Sequence, residues 1–186
     1  MNAGVANQKV DTQALQPPPA MDHFALLGQQ PPRFDLDLPA LEQAYLAGQQ
    51  AFHPDRWVGK SAAERARAAI HSANLNQAWT VLKDPLSRAL YLCQLRGIAL
   101  TSADGRFAED PTLLTESLAL REMLMEAETP AEIDAVRAQV AALWDGHLAQ
   151  LAAAFANPAP DHAAIRAATL RLQFLHKFRQ ELASPA

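Results

Sequence analysis

Apolar residues recur at α-helical spacing through most of the chain, and short polar breaks rich in Pro, Asp and Gly separate them. In the first half, the pattern predicts a short apolar turn ending at Gly28, then helices over about residues 38–52, 62–83 and 86–96. In the second half, it predicts helices over about residues 111–128, from 130 to the Pro-rich break at 157–160, and from about 161. Glycine and β-branched residues are sparse, so the predicted fold is all-α: a helical hairpin with flanking helices, then a three-helix bundle.

Several predicted helix ends carry capping residues. The segments 61–64 (Ser-Ala-Ala-Glu) and 129–132 (Thr-Pro-Ala-Glu) both match a capping box, in which the first and last side chains satisfy each other's backbone N–H groups. Pro54 disfavours helical geometry at His53, so the helix before it should stop there. The two longest helices of the first half would then hold His53-Pro54-Asp55 at the tip of a hairpin. We expect Gly48, on the apolar face of the first of them, to permit close helix packing.

The length and composition fit one domain or two small ones. The chain has 186 residues, of which 49% are apolar and can fill a core. We expect residues 1–20, which are polar and end in a run of prolines, to be a disordered N-terminal extension. The first domain should cover residues 21–97, a connector 98–109, and the second domain 110–186. The single cysteine, Cys93, excludes an intrachain disulfide and is expected to be a small buried packing residue.

Charge and hydropathy limit which partners and which cellular location we expect for this protein. The net charge is −4, and the acidic excess lies after residue 98. Since no basic stripe is present, we expect no nucleic-acid partner. No run approaches the roughly 20 apolar residues that cross a bilayer, and the N-terminus lacks the pattern of a secretory or organellar signal. We therefore expect a cytoplasmic protein that does not bind membranes.

Two helices of the second half carry more apolar surface than one core needs. On the first, a core face is predicted for Leu113, Leu120, Leu124 and Ala127, and a second stripe, bordered by Glu122 and Glu126, for Leu114, Leu118 and Met125. On the last, the core face is Ile165, Ala168, Leu172 and Leu175, whereas Leu170, Phe174 and Phe178 point elsewhere. The second stripes either pack on each other or on the first domain, or form an exposed docking patch with an acidic rim.

The polar turn at the hairpin tip admits two chemical interpretations. His53 and Asp55 could act as a general-base pair, but no motif for a nucleophile or a substrate pocket accompanies them. They could instead contact another protein. The other helical histidines stand singly without metal-ligand spacing, so we assign no metal and no cofactor: His71, His147, His162 and His176.

The hairpin and its tip resemble a J-domain, the module that stimulates ATP hydrolysis by DnaK-type chaperones through a His-Pro-Asp turn. The resemblance rests on the turn at 53–55 followed by Asn-Gln-Ala-Trp-Thr-Val-Leu at 76–82 and Asp-Pro-Leu-Ser-Arg-Ala at 84–89. Over about residues 21–182 the chain resembles one family more closely, the HscB co-chaperones of iron–sulfur cluster assembly. The further matching segments are residues 21–24, 90–92, 120–122 and 172–177.

This resemblance implies a co-chaperone rather than an enzyme, with two partners. The J-domain would engage an HscA/DnaK-type chaperone ATPase, and the C-terminal bundle would hold an IscU-type scaffold protein. The helix before the turn has Gln49 and Gln50 where J-domains usually carry cations, so the implied chaperone-binding residues are His53, Pro54, Asp55, Arg56, Lys60, Arg65 and Arg67. The implied scaffold-binding residues are Leu114, Leu118, Glu122, Glu126 and Phe174. The alternative is a general J-domain protein whose bundle binds another client or self-associates.

Overall fold

A computed structural model of the chain describes residues 22–100 and 111–183, and all the regular structure of these residues is helical. The α-helices are α1 (His23–Leu26), α2 (Leu38–Ala51), α3 (Ala62–Lys83), α4 (Pro85–Leu95), α5 (Pro111–Glu126), α6 (Pro130–Ala156) and α7 (His162–Ala183). A 3-10 turn, Pro54–Trp57, lies between α2 and α3. The all-α prediction is confirmed. The extension expected at residues 1–20, and residues 101–109 of the expected connector, lie outside the described residues.

Both predicted capping boxes are present. At the start of α3, the Glu64 backbone N–H donates to Ser61 Oγ at 3.3 Å, and the Ser61 N–H donates to Glu64 Oε2 at 2.9 Å. Thr129 and Glu132 repeat this arrangement at the start of α6 with the same two distances. Hydrogen bonds from the cap lower the pKa of the Glu64 and Glu132 carboxyl groups, so each box holds its glutamate in the charged form.

We expect Ser61→Ala to lower the free energy of unfolding by about 1 kcal/mol at pH 7, because the Glu64 N–H loses its acceptor. The folded-state pKa of Glu64 is lowered, so the carboxylate contribution is present above the unfolded-state pKa and is lost as the pH falls through the folded-state pKa. The difference between wild type and variant should therefore shrink in acid. Urea denaturation at pH 7 and pH 3 measures this difference in the free energy of unfolding. Ser61→Thr should restore the cap. An equal loss for Ser61→Thr would argue against capping as the cause.

The first half is built around the antiparallel pair α2 and α3. Gly48 lies so close to α3 that an added Cβ would stand 2.8 Å from Leu75 Cδ1, which agrees with the expected close packing. Gln49 joins the helices by three hydrogen bonds: its Nε2 donates to Asn76 Oδ1 at 2.8 Å and to the Ser72 carbonyl oxygen at 3.3 Å, and its Oε1 accepts from Ser72 Oγ at 3.1 Å. Gln49 is therefore a half-buried link between the helices, and a lysine in its place could not accept the bond from Ser72 Oγ.

The second half is dominated by the pairing of α6 with α7, and α5 packs on α6. Leu113 and Leu120 of α5 are buried as predicted. The prediction for Phe178, by contrast, is wrong: it is 1% exposed and belongs to the core. Buried positions on α7 continue at a spacing of three residues beyond Leu172, so the core stripe rotates around the helix and reaches Phe178. Phe174 stays half-buried and stacks on Phe178, with ring centroids 5.9 Å apart.

The two halves share one continuous core. Helix α4 packs on α7, where Cys93 Sγ lies 3.7 Å from Thr169 Oγ1, and burial raises the pKa of the Cys93 thiol. The ring of Phe34 stacks on that of Phe155 of α6 at a centroid distance of 5.3 Å, and the guanidinium of Arg96 lies 4.9 Å from the same Phe155 ring. Cys93 is fully buried, as the sequence predicts. The exposed stripe of α5 takes no part in these contacts.

Candidate functional site

The His-Pro-Asp turn projects from the end of α2 as an exposed polar tip. His53 is extended (φ −62°, ψ 135°), in keeping with the restriction that Pro54 imposes on the residue before it. Its Nδ1 accepts a hydrogen bond from the Asp55 backbone N–H at 3.3 Å and lies 3.5 Å from Asp55 Oδ2. The side chains of His53 and Asp55 are 59% and 88% exposed. The turn therefore presents both side chains to solvent in a locally fixed arrangement.

Stacked aromatic side chains pack at the base of the turn. The Trp57 ring lies nearly parallel to that of Phe52, with centroids 6.1 Å apart, and the His71 ring of α3 lies 3.9 Å from Phe52. Trp57 Nε1 also donates to the Ala51 carbonyl oxygen at 3.2 Å. Sequence reasoning missed this support. The available signal was a pair of aromatic residues, Phe52 and Trp57, on either side of a polar tripeptide.

The four basic residues predicted for the chaperone side lie after the turn and are exposed. Arg56 and Lys60 line a shallow depression of about 250 Å³ together with Ala51 and Trp57. The other two, Arg65 and Arg67, project from the first turns of α3. The structure thus places a group of cations on the C-terminal side of the turn, where a negatively charged partner surface would meet them.

The second candidate site is a groove between α5 and α7, here called the docking groove. It has a volume of about 510 Å³ and is lined by Leu113, Leu114, Ser117, Leu118 and Arg121 of α5 and by Gln173, Phe174 and Lys177 of α7. Leu114 and Leu118 are 53% and 52% exposed. Three predicted scaffold-binding residues, Leu114, Leu118 and Phe174, therefore meet in one apolar groove, and those on α5 remain open to solvent.

The charges at the docking groove differ from the acidic rim expected from the sequence. Glu122 and Glu126 are exposed, but helical periodicity turns them to the outer side of α5, and neither lines the groove. The charged residues that line it are Arg121 and Lys177. Both are exposed, and neither forms an ion pair with another described residue. The acidic edge therefore lies beside the groove, and the groove itself is bordered by cations.

One buried polar contact attaches α5 to the bundle. His147 of α6 is 6% exposed, and its Nε2 lies 3.4 Å from Glu116 Oε2 of α5. The Nδ1 atom of the same ring lies 3.3 Å from Gln150 Oε1. The sequence left His147 as a solvated or packed histidine, and the structure shows it packed. Leu113 and Leu120 of the same helix are also buried, so apolar packing as well as this contact holds α5, which forms one wall of the docking groove, on the bundle.

Two further observations concern residues 22–100 and 111–183 alone. Among them, no three His, Cys, Asp or Glu side chains form a group that could hold a metal ion. None of their helices has the length and apolar character needed to cross a bilayer.

Known sequences that resemble this chain include members of one group of co-chaperones. Residues 109–183 match the family model described as the HSCB C-terminal oligomerisation domain. The co-chaperone protein HscB homolog of Bordetella petrii is 40% identical over 168 residues, which cover 89% of this chain and 96% of that protein. Both halves are therefore included in the match.

Solved structures of related co-chaperones have the same fold as this chain. The chaperone HscB from Vibrio cholerae has a TM-score of 0.73 at 34% identity, covering 87% of this chain and 95% of that one. Human co-chaperone protein HscB has a TM-score of 0.80 at 25% identity, covering 98% and 92%. The exposed His-Pro-Asp turn, the all-α fold and the near full-length sequence match agree, and this chain belongs to the HscB family of co-chaperones.

Proposed function

We propose that this protein stimulates ATP hydrolysis by an HscA/DnaK-type chaperone through its His-Pro-Asp turn and delivers an IscU-type scaffold protein during iron–sulfur cluster assembly. The observation that carries the proposal is the presence, in one chain, of an exposed His-Pro-Asp turn on an aromatic support and a separate apolar groove. The cytoplasmic location expected from the sequence is part of this proposal, as is the division into a J-domain (21–97) and a scaffold-binding domain (110–186).

The geometry of the turn supports a contact role. His53 and Asp55 reach solvent, so both are available to a chaperone surface without rearrangement of the core. Arg56, Lys60 and the cations of α3 would add electrostatic attraction, which raises association rates more than it lowers dissociation rates. A co-chaperone that binds the hydrolysis-competent state of its partner more tightly than other states shifts the partner towards that state.

The docking groove supports a client-binding role. Leu114, Leu118 and Phe174 form a compact apolar centre, and Glu122 and Glu126 stand beside it on the exposed side of α5. Such a centre with a polar surround is the usual anatomy of a protein interface. In this proposal the three apolar side chains anchor the scaffold and the glutamates steer it.

A second candidate is a general J-domain protein whose bundle self-associates. The description of the matching family model as an oligomerisation domain favours it. It retains the role of the turn and fills the docking groove with a second copy or another client. An enzymatic role for His53 and Asp55 has less support, because the depression beside them is lined by Ala51, Arg56, Trp57 and Lys60, with no serine, threonine or cysteine that the pair could activate.

The test is steady-state ATP hydrolysis by the HscA-type chaperone of the same organism, with this protein and an IscU-type scaffold added singly and together. We expect stimulation by this protein alone and a larger, synergistic stimulation when the scaffold is present. Stimulation that is indifferent to the scaffold would support the general J-domain protein. If neither an HscA-type nor a DnaK-type chaperone responds, the proposed function is wrong.

A further inference from the structure

We infer that the docking groove accepts a partner segment in which a carboxylate accompanies the apolar anchors, and that Arg121 and Lys177 receive this carboxylate. The inference rests on the proposed function and specifies the chemistry of the scaffold segment that binds. It assigns a binding role to two residues that the sequence analysis did not select.

The charge distribution around the docking groove carries the inference. Arg121 reaches it from α5 and Lys177 from α7, so the cations belong to different helices and converge only in the folded bundle. Arg121 follows Leu114 by two helical turns and therefore lies on the same stripe. Lys177 follows Phe174 by three residues and shares its side of α7. Both cations thus adjoin the apolar residues that a partner would cover.

Desolvation makes an uncharged partner segment a poor fit. A segment that fills the docking groove would remove water from the guanidinium of Arg121 and the ammonium of Lys177, and neither has an ion-pair partner among the described residues. Removing water from a cation is unfavourable unless a compensating acceptor replaces it. A carboxylate on the partner would supply that acceptor, and the guanidinium can bind it through two parallel hydrogen bonds.

The same charges fix the orientation of the segment. Glu122 and Glu126 lie on the outer side of α5, so a carboxylate displaced to that side would meet like charge. An acidic residue is therefore favoured on the α7 side of Leu114 and Leu118, and a basic or neutral one on the outer side. A segment bound in reverse would place its acidic residue against the glutamates.

The test compares affinities for the IscU-type scaffold at about 0.05 M and 0.5 M NaCl, where exposed charges are screened to different extents. We expect the double variant Arg121→Gln/Lys177→Gln to bind about 3- to 10-fold more weakly at low salt, as for two exposed ion pairs. At high salt the variant and the wild type should converge. Lys83→Gln is the matched control, because this lysine lies over the Trp79 ring at the end of α3 and leaves the groove unchanged.

Phe174→Ala separates failure of the inference from failure of the proposed function. Weak binding by Phe174→Ala with wild-type binding by the Gln variant at both salt concentrations would overturn the inference and leave the scaffold-binding proposal intact. Wild-type binding by both variants would overturn both. Sedimentation of the protein alone gives the remaining outcome: a dimer that the Gln variant dissociates would mean that a second copy occupies the groove, which overturns the inference.

Discussion

His53→Gln should abolish stimulation of the partner ATPase while leaving the fold intact. The His53 side chain is 59% exposed and bonds only within its own turn, so we expect the free energy of unfolding to change by less than about 0.5 kcal/mol. The stimulated rate should fall at least about tenfold towards the basal rate, which corresponds to about 1.4 kcal/mol of lost transition-state stabilisation. Steady-state ATP hydrolysis and urea denaturation of the same preparation measure the two quantities.

His162→Gln is the matched control for this experiment. His162 is an exposed histidine at the first position of α7, on the half of the molecule that carries the docking groove. Its replacement should leave stimulation unchanged. Asp55→Asn, at a side chain that is 88% exposed, should reproduce the loss seen for His53→Gln. Full stimulation by the His53 variant would reject the role assigned to the turn.

Phe174→Ala should weaken scaffold binding by about 1–3 kcal/mol, or about 5- to 150-fold in Kd, if this ring is the central anchor of the docking groove. Phe174 is half-buried and lies over the buried Phe178 ring, so part of the loss of free energy will fall on folding. Leu118→Ala avoids this difficulty, because Leu118 is 52% exposed and its truncation leaves no cavity. Isothermal titration calorimetry of the scaffold with each variant measures the change in Kd.

Met123→Ala is the control on the same helix. Met123 is 40% exposed and lies on the opposite side of α5 from Leu114, so the substitution removes comparable apolar surface outside the docking groove. We expect its scaffold affinity to equal that of the wild type. Equal affinities for the Met123, Leu118 and Phe174 variants would assign Phe174 to packing rather than binding.

The helices were predictable because residues with strong local preferences mark their ends. Ser61 and Asp84 delimit α3, and the predicted range Ala62–Lys83 is the observed one. Helix α5 stops at Glu126 rather than the predicted Glu128, because the capping box at Thr129 takes over: the Glu128 N–H donates to Glu132 Oε2. Such features depend on a few neighbouring residues and can therefore be recognised in a sequence.

Features that depend on how two helices face each other were not predictable. The exposed stripe of α5 followed from periodicity, but the cations that border the groove did not, because Lys177 reaches it from α7. Phe178 was misplaced because a straight helical wheel ignores the slow rotation of the core stripe. Ile98 was placed in a connector, yet it is 8% exposed and belongs to the core that the two halves share.

The continuous core between the halves has a mechanical consequence. Bending the hairpin away from the bundle would separate Phe34 from Phe155 and Cys93 from Thr169, so it would expose packed apolar surface rather than swing about a free hinge. The fold then acts as a stiff connection between the His-Pro-Asp turn of the hairpin and the docking groove of the bundle. If each site holds its partner, the distance between the two partners is set by this chain, and force applied by one of them is transmitted to the other rather than absorbed.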